Sequence, residues 1–249
     1  MKNSIKSLLK FIIPLLFWCL AWHLGSIAIG NDYLFPGIKV TFNALFAILS
    51  DKAAYMSILL TALRVIIGLV LGCFLGISLG ILCNHFSLIN IILSPLFTII
   101  KSTPVASFIV VLWVILSGDE LAVFIGVIMV TPIIWQNILD GYNSVDKQLV
   151  EVAQIYNFSP MKKFKLLTFP ALKKYLAPAI ITSCGLCWKA EIAAEIIAYT
   201  KKSIGHSIND AKYYLDTPTV FAWTIIIIVL SIILEKSTKK LLRRYVDNA

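Results

Sequence analysis

Five ionisable residues stand inside long apolar stretches of this chain: Arg64, Lys101, Lys189, Glu191 and Glu195. An ion in such a setting is costly unless it pairs or faces water. Trp188 and Glu191 are three apart, and Glu191 and Glu195 four apart, so all three fall on one helix face, with Lys189 near its edge. Two uses follow from these residue types. The charges can handle a polar solute or ion along a pathway, or they can pair internally, Lys189 with a glutamate. Arg64 lies near the end of its stretch and can equally snorkel outward. Other chemistries find little support. His23, His85 and His206 are scattered. Cys184-x-x-Cys187 sits in an apolar helix with no second pair, which points to helix packing rather than a metal or redox site. No G-x-x-x-x-G-K-[ST] phosphate loop and no nucleophile constellation occur. The chain is therefore expected to hold no metal and no cofactor, and not to be an enzyme.

The elements that position these charges are membrane helices. The 249 residues are 59% hydrophobic and only 14% charged, with a mean hydropathy of +0.88, which indicates an all-α integral membrane protein. About six spans cover roughly 11–30, 55–83, 91–116, 121–139, 176–198 and 220–234, each long enough for about 30 Å of hydrocarbon. The first is too long for a signal-peptide core and reads as an anchor. With the N-terminus inside, the polar loop and the C-terminus are inside too, and most of the 22 Lys and Arg residues fall on that side. Residues 1–10 read as a basic cytoplasmic segment on the inner leaflet, and 235–244 as a basic cytoplasmic tail. The whole chain, 1–249, reads as one domain with a core of 55–234.

Within that core, Gly68, Gly72, Gly76 and Gly80 recur every four residues and fall on one helix face, where they permit close packing. In the third span Pro104 breaks the helix beside Lys101-Ser102-Thr103. A broken helix bearing a cation often lines a pathway. The stretch Asn31–Ala54 reads as an external loop.

The longest polar stretch runs from Val145 to Ala177. Leu149, Val152, Ala153 and Tyr156 recur at i, i+3, i+4, i+7 and predict a short amphipathic helix from Asp146 to Tyr156. Asn157 suits a left-handed C-cap. Ser159-Pro160 reads as an N-cap followed by Pro at the first helical position. Met161, Phe164, Leu167 and Thr168 continue one face, and Phe169-Pro170 is expected to stop the second helix.

Glu151-Val152-Ala153, three residues, Asn157, nine residues and Leu167-Thr168-Phe169-Pro170 reproduce the spacing of the cytoplasmic loop of ABC importer permeases. Val152, Asn157, Leu167 and Phe169 depart from the preferred residues. Further segments resemble the sulfonate/taurine/nitrate-type permeases: Tyr33-Leu34-Phe35-Pro36, Thr61-Ala62-Leu63-Arg64-Val65, Pro95 to Pro104, Asn137 to Gly141, Trp188 to Glu195, and Tyr214-Leu215-Asp216-Thr217. The resemblance implies the type I ABC importer permease fold. It also implies a second permease copy, two cytoplasmic ATPases that carry ATP and Mg, and an extracytoplasmic substrate-binding protein. The loop 145–174 would then be the coupling loop, docking in a groove of the ATPase through Glu151, Val152, Ala153, Asn157, Leu167, Phe169 and Pro170. The solute would cross the cell membrane by alternating access. Arg64, Lys101 and Lys189 would suit a small anion such as a sulfonate, taurine or nitrate. Trp188, Glu191 and Glu195 complete the candidate pathway. The competing function is an ion-gradient-driven carrier using Glu191 and Glu195.

Overall fold

The computed structural model describes residues 2–246. The side chains of Lys2, Lys6, Lys10, Arg243 and Arg244, read above as cytoplasmic, lie outside the described residues. The elements, in order, are α1 (Lys2–Ile29), α2 (Ile38–Ser50), α3 (Lys52–His85), α4 (Ser87–Ser102), α5 (Val105–Trp113) and α6 (Gly118–Asn143). They continue with α7 (Lys147–Ile155), α8 (Pro160–Lys163), a π-helical segment (Phe164–Thr168), α9 (Phe169–Ile197), α10 (Ile204–Tyr213) and α11 (Thr217–Val246). Among the described residues four helices are long and apolar enough to cross a membrane: α1, α3, α6 and α11. A fifth span forms if α4 and α5, bent by 102° at their junction, count as one. Helix α9 occupies the position of the remaining expected span. Its 29 residues reach about 44 Å, more than a bilayer core requires, but its five charged residues dilute its apolarity.

Helices α3, α6 and α9 form the centre. Their contact is close because the four glycines of α3 face α6. A Cβ on Gly72 would lie 2.7 Å from the Val130 Cβ, and one on Gly76 would lie 2.7 Å from the Ile134 Cβ. A Cβ on Gly80 would lie 2.6 Å from the Ile138 Cγ2. Each step of four along α3 meets a step of four along α6 in the same direction, so the two helices run parallel. Between lipid tails this van der Waals fit, rather than a hydrophobic drive, holds helices together. Val65, Val130, Ile134, Cys187, Trp188 and Ile192 fill the seam. A second cluster joins Ile109 of α5 to Leu121 and Ile125 of α6 and Ala194 of α9. Phe97 of α4 packs on Trp135 of α6, with ring centroids 4.8 Å apart.

Two expectations are corrected here. Asn31–Ala54 is not a plain loop, since it contains α2, which buries Thr41 and Ile48. These two positions are seven apart and form a one-sided stripe that a search for membrane-length runs passes over. Asp51 ends α2 and caps α3, accepting from the Ala53 N–H at 2.9 Å. Nor does Phe169-Pro170 stop the second loop helix. The chain stays helical through Pro170 because a π turn precedes it: the Phe169 N–H donates to the Phe164 carbonyl. Widening the turn there takes up the clash and the lost hydrogen bond that Pro would impose on an α-helix.

Candidate functional site

The polar loop is built by caps. Asp146 accepts from the Gln148 N–H at 2.8 Å and starts α7. Asn157 ends it with φ of 50°, in the left-handed region that Asn tolerates. The Asn157 N–H donates to the Gln154 carbonyl at 3.0 Å and the Phe158 N–H to Ala153 at 2.9 Å. That pair of bonds is a Schellman closure. Ser159 then accepts from the Lys162 N–H at 3.4 Å, with Pro160 in the first turn of α8. Of the apolar face expected on α7, only Ala153 is sealed, at 3% exposure; Leu149 is 50% and Tyr156 73% exposed. Glu151, Val152, Asn157, Phe169 and Pro170 are also exposed, and Leu167 is half-buried. The loop therefore presents apolar side chains that nothing in this chain covers.

The charged residues of the spans divide into two groups. Arg64 does not snorkel. It is buried, and one guanidinium nitrogen donates to Glu195 Oε1 at 2.9 Å while the other meets Asp119 Oδ1 at 2.8 Å. The Thr61 hydroxyl lies 2.9 Å from both Glu195 oxygens and accepts from the Ile204 N–H at 3.1 Å. The Gly205 N–H donates to Glu195 Oε2 at 3.2 Å. This knot ties α3, the start of α6, α9 and α10 together at the end of the bundle away from the polar loop. Glu195 thus pairs with Arg64 rather than with Lys189. Glu191 is fully buried between α3 and α6, where Gly68 and Gly126 leave room for its carboxylate; a Cβ on either would collide with it. The Cys187 thiol donates to Glu191 Oε1 at 3.2 Å. Trp188 is buried beside them. Beyond the membrane end of α9, the Tyr199 hydroxyl donates to Asp210, which raises the phenol pKa because the bonded form keeps its proton.

Lys101 and Lys189 form the second group. Both are exposed and line one cavity of about 460 Å³ at the α4–α5 bend. The bend follows from Pro104, as expected. The Ser102 and Thr103 hydroxyls donate to the Ile99 carbonyl at 3.1 and 2.8 Å, serving backbone acceptors that the broken helix frees.

The structure thus brings Arg64, Trp188, Glu191 and Glu195 into the α3–α6–α9 core and separates them from Lys101 and Lys189. Thr61, Asp119, Gly126, Cys187 and Gly205 were missed as parts of the charged core. Thr61 carried one local signal, three residues before Arg64 and so on the same helix face. Gly205 and Asp119 carried none, being distant in sequence from their partners.

A putative ABC transporter permease protein of Methanocaldococcus jannaschii is 24% identical over 253 residues, covering 98% of this chain and 92% of that protein. The bicarbonate transport system permease protein CmpB of Synechocystis sp. is 29% identical over 65% of this chain and 58% of its own length. The aliphatic sulfonates transport permease protein SsuC of Bacillus subtilis, itself a putative assignment, is 24% identical over 73% of this chain and 66% of its own length. The fold is that of an inward-facing MetNI methionine ABC transporter chain: TM-score 0.59, 15% identity, covering 76% of this chain and 93% of that one. A chain of an amino acid ABC transporter with histidines aligns at TM-score 0.57 and 17% identity, over 91% of this chain and 98% of that one. The family model described as binding-protein-dependent transport system inner membrane component matches residues 68–246, and the chain belongs to that family.

Proposed function

We propose that this chain is the permease subunit of an ATP-binding-cassette importer and that its loop 145–174 couples solute passage to ATP hydrolysis on separate subunits. The observation that carries the coupling role is the capped helix pair α7–α8. It is held at a fixed angle by Asn157, with Leu149, Val152, Ile155 and Tyr156 exposed beside the buried Ala153. Apolar side chains this near the membrane surface and uncovered by their own chain suit a protein groove. On this reading, closure of an ATPase dimer moves the loop, and the spans rock between inward- and outward-facing states. Glu151 and Ala153 carry force, and Asn157 and Pro170 set the angle between the helices. A second copy of the chain completes the pathway, an external binding protein delivers solute, and both termini lie in the cytoplasm.

The geometry weighs against the gradient-driven alternative. Glu195 is committed to Arg64, Thr61 and Gly205, and Glu191 is sealed from solvent. The test is a mild-detergent pull-down from native cells followed by mass spectrometry and an ATPase assay. Recovery of a phosphate-loop ATPase that is lost in the Glu151→Ala, Ala153→Asp double variant supports the proposal. Clean recovery of the chain without an ATPase, in conditions that keep a known importer intact, refutes it.

A further inference from the structure

Charges in the spans of this chain are answered internally, with two exceptions. Arg64 meets two carboxylates and Glu191 meets a thiol. Among the described residues, no carboxylate lies within 4.0 Å of the Lys101 or Lys189 ammonium. Both lysines nevertheless line the same cavity, and no acidic side chain joins its wall. The remaining wall is largely apolar, with Met129 and Pro132 from α6 and Leu186 and Ala190 from α9. The Lys101 ammonium stands 6.0 Å from the Trp135 ring centroid, a weak contact for a cation. Two like charges beside an apolar hollow repel each other, and a negative group between them relieves both the repulsion and the missing solvation.

The bend adds to the positive field. Helix α5 begins at the cavity, with Val105 in the wall, and no side chain caps its first turn. The positive end of its dipole therefore reinforces the lysines. Apolar walls with a few convergent polar groups are the usual make-up of a small-molecule site. The volume, about 460 Å³, suits a ligand of a few heavy atoms and its hydration water.

We infer that this cavity is a solute site within the permease itself, taking a small oxyanion that bears a short apolar group, with Lys101 and Lys189 as its charge contacts. The anionic end sits between the two ammoniums, and the apolar end lies against Met129 and Leu186. The inference rests on the permease reading and deepens it: the membrane subunit discriminates solute charge in addition to any choice made by a soluble binding protein.

The experiment uses the full chain purified in mild detergent with whatever subunits accompany it. The probes are ethanesulfonate, bicarbonate and, as a neutral isostere, ethyl methyl sulfone. The readout is the shift in thermal unfolding midpoint as each probe is titrated. Ethanesulfonate is expected to stabilise the wild type and the sulfone not to. Lys101→Gln or Lys189→Gln should weaken the apparent affinity about tenfold, the scale of one charge-assisted hydrogen bond. The double variant should show no shift, Lys101→Arg should retain it, and Lys173→Gln, outside the cavity, should behave as wild type. Absence of a shift in the wild type with both anions overturns the inference, as does an equal shift with the sulfone or in the double variant. If the glutamine variants fail to fold, acetylation of the native lysines decides. Ethanesulfonate should slow modification of Lys101 and Lys189 relative to Lys173, and uniform rates overturn the site. ATPase recovery is scored separately in the same preparation, so loss of the permease reading and loss of the anion site are distinguishable.

Discussion

The Arg64–Glu195 knot and the α7–α8 loop lie at opposite ends of the bundle and use their bonding capacity in opposite ways. In the knot every strong group is spent within the chain: Arg64 on two carboxylates, Glu195 on Arg64, Thr61 and Gly205. In the loop the backbone is satisfied by caps while the apolar side chains stay exposed. A group whose interactions are closed internally contributes chiefly to stability. A group ordered by its neighbours but left uncovered is available to a partner. The difference separates residues that all looked functional by type alone.

Substitutions ranked by their effect on melting should reproduce that division. Glu195→Ala leaves Arg64 buried with one exposed partner, and removing one side of a buried pair costs about 3–5 kcal/mol. A large drop in the unfolding midpoint is expected, and a wild-type midpoint would break the contrast. Gly76→Val should cost about 1–3 kcal/mol through overpacking, because its Cβ would fall 2.8 Å from the Thr131 carbonyl and against Ile134. Asn157→Val forces a β-branched residue to positive φ, at about 1–2 kcal/mol; hydrolysis should persist while coupled uptake falls, and Asn157→Gly should restore both. Asp119→Asn should cost at most about 1 kcal/mol, since that carboxylate is 72% exposed. Ile155→Asp should leave the midpoint within about 0.5 kcal/mol of wild type yet reduce recovery of the ATPase. If Ile155→Asp instead unfolds the chain, the loop belongs to the core and the distinction between the two regions fails.

Local rules served well where one residue decides a local geometry. The four-residue glycine spacing foretold a close helix contact, and Asn157 foretold a left-handed cap, because both follow from backbone geometry at a known place. Pro104 foretold the broken span for the same reason. Rules of this kind failed where a neighbour supplied a compensation. Pro170 does not end its helix, because the π turn before it removes the conflict, and no single residue announces a π turn. The partner of Glu195 was out of reach, since Arg64 is 131 residues away and Lys189 was the nearer cation in sequence. Whether an intramembrane charge is sealed or open was equally illegible. Lys189 and Glu191 are two positions apart, and helical rotation puts one at a cavity and the other in the core. The short helices α2 and α10 escaped because their stripes are brief and partly polar.

The π segment at Phe164–Thr168 also sets a rotational phase. A π turn holds one residue more than an α turn, and one residue advances an α-helix by about 100°. Everything downstream on α9 is therefore turned by that amount from where an uninterrupted helix rising from Ser159 would place it. Deleting a single residue there would let the turn relax to α geometry and swing Lys189 and Glu195 together, relative to the loop, by more than a quarter of a revolution. The azimuth at which the loop meets the rest of the bundle is thus fixed by the length of the chain between Ser159 and Pro170, independently of which side chains occupy it.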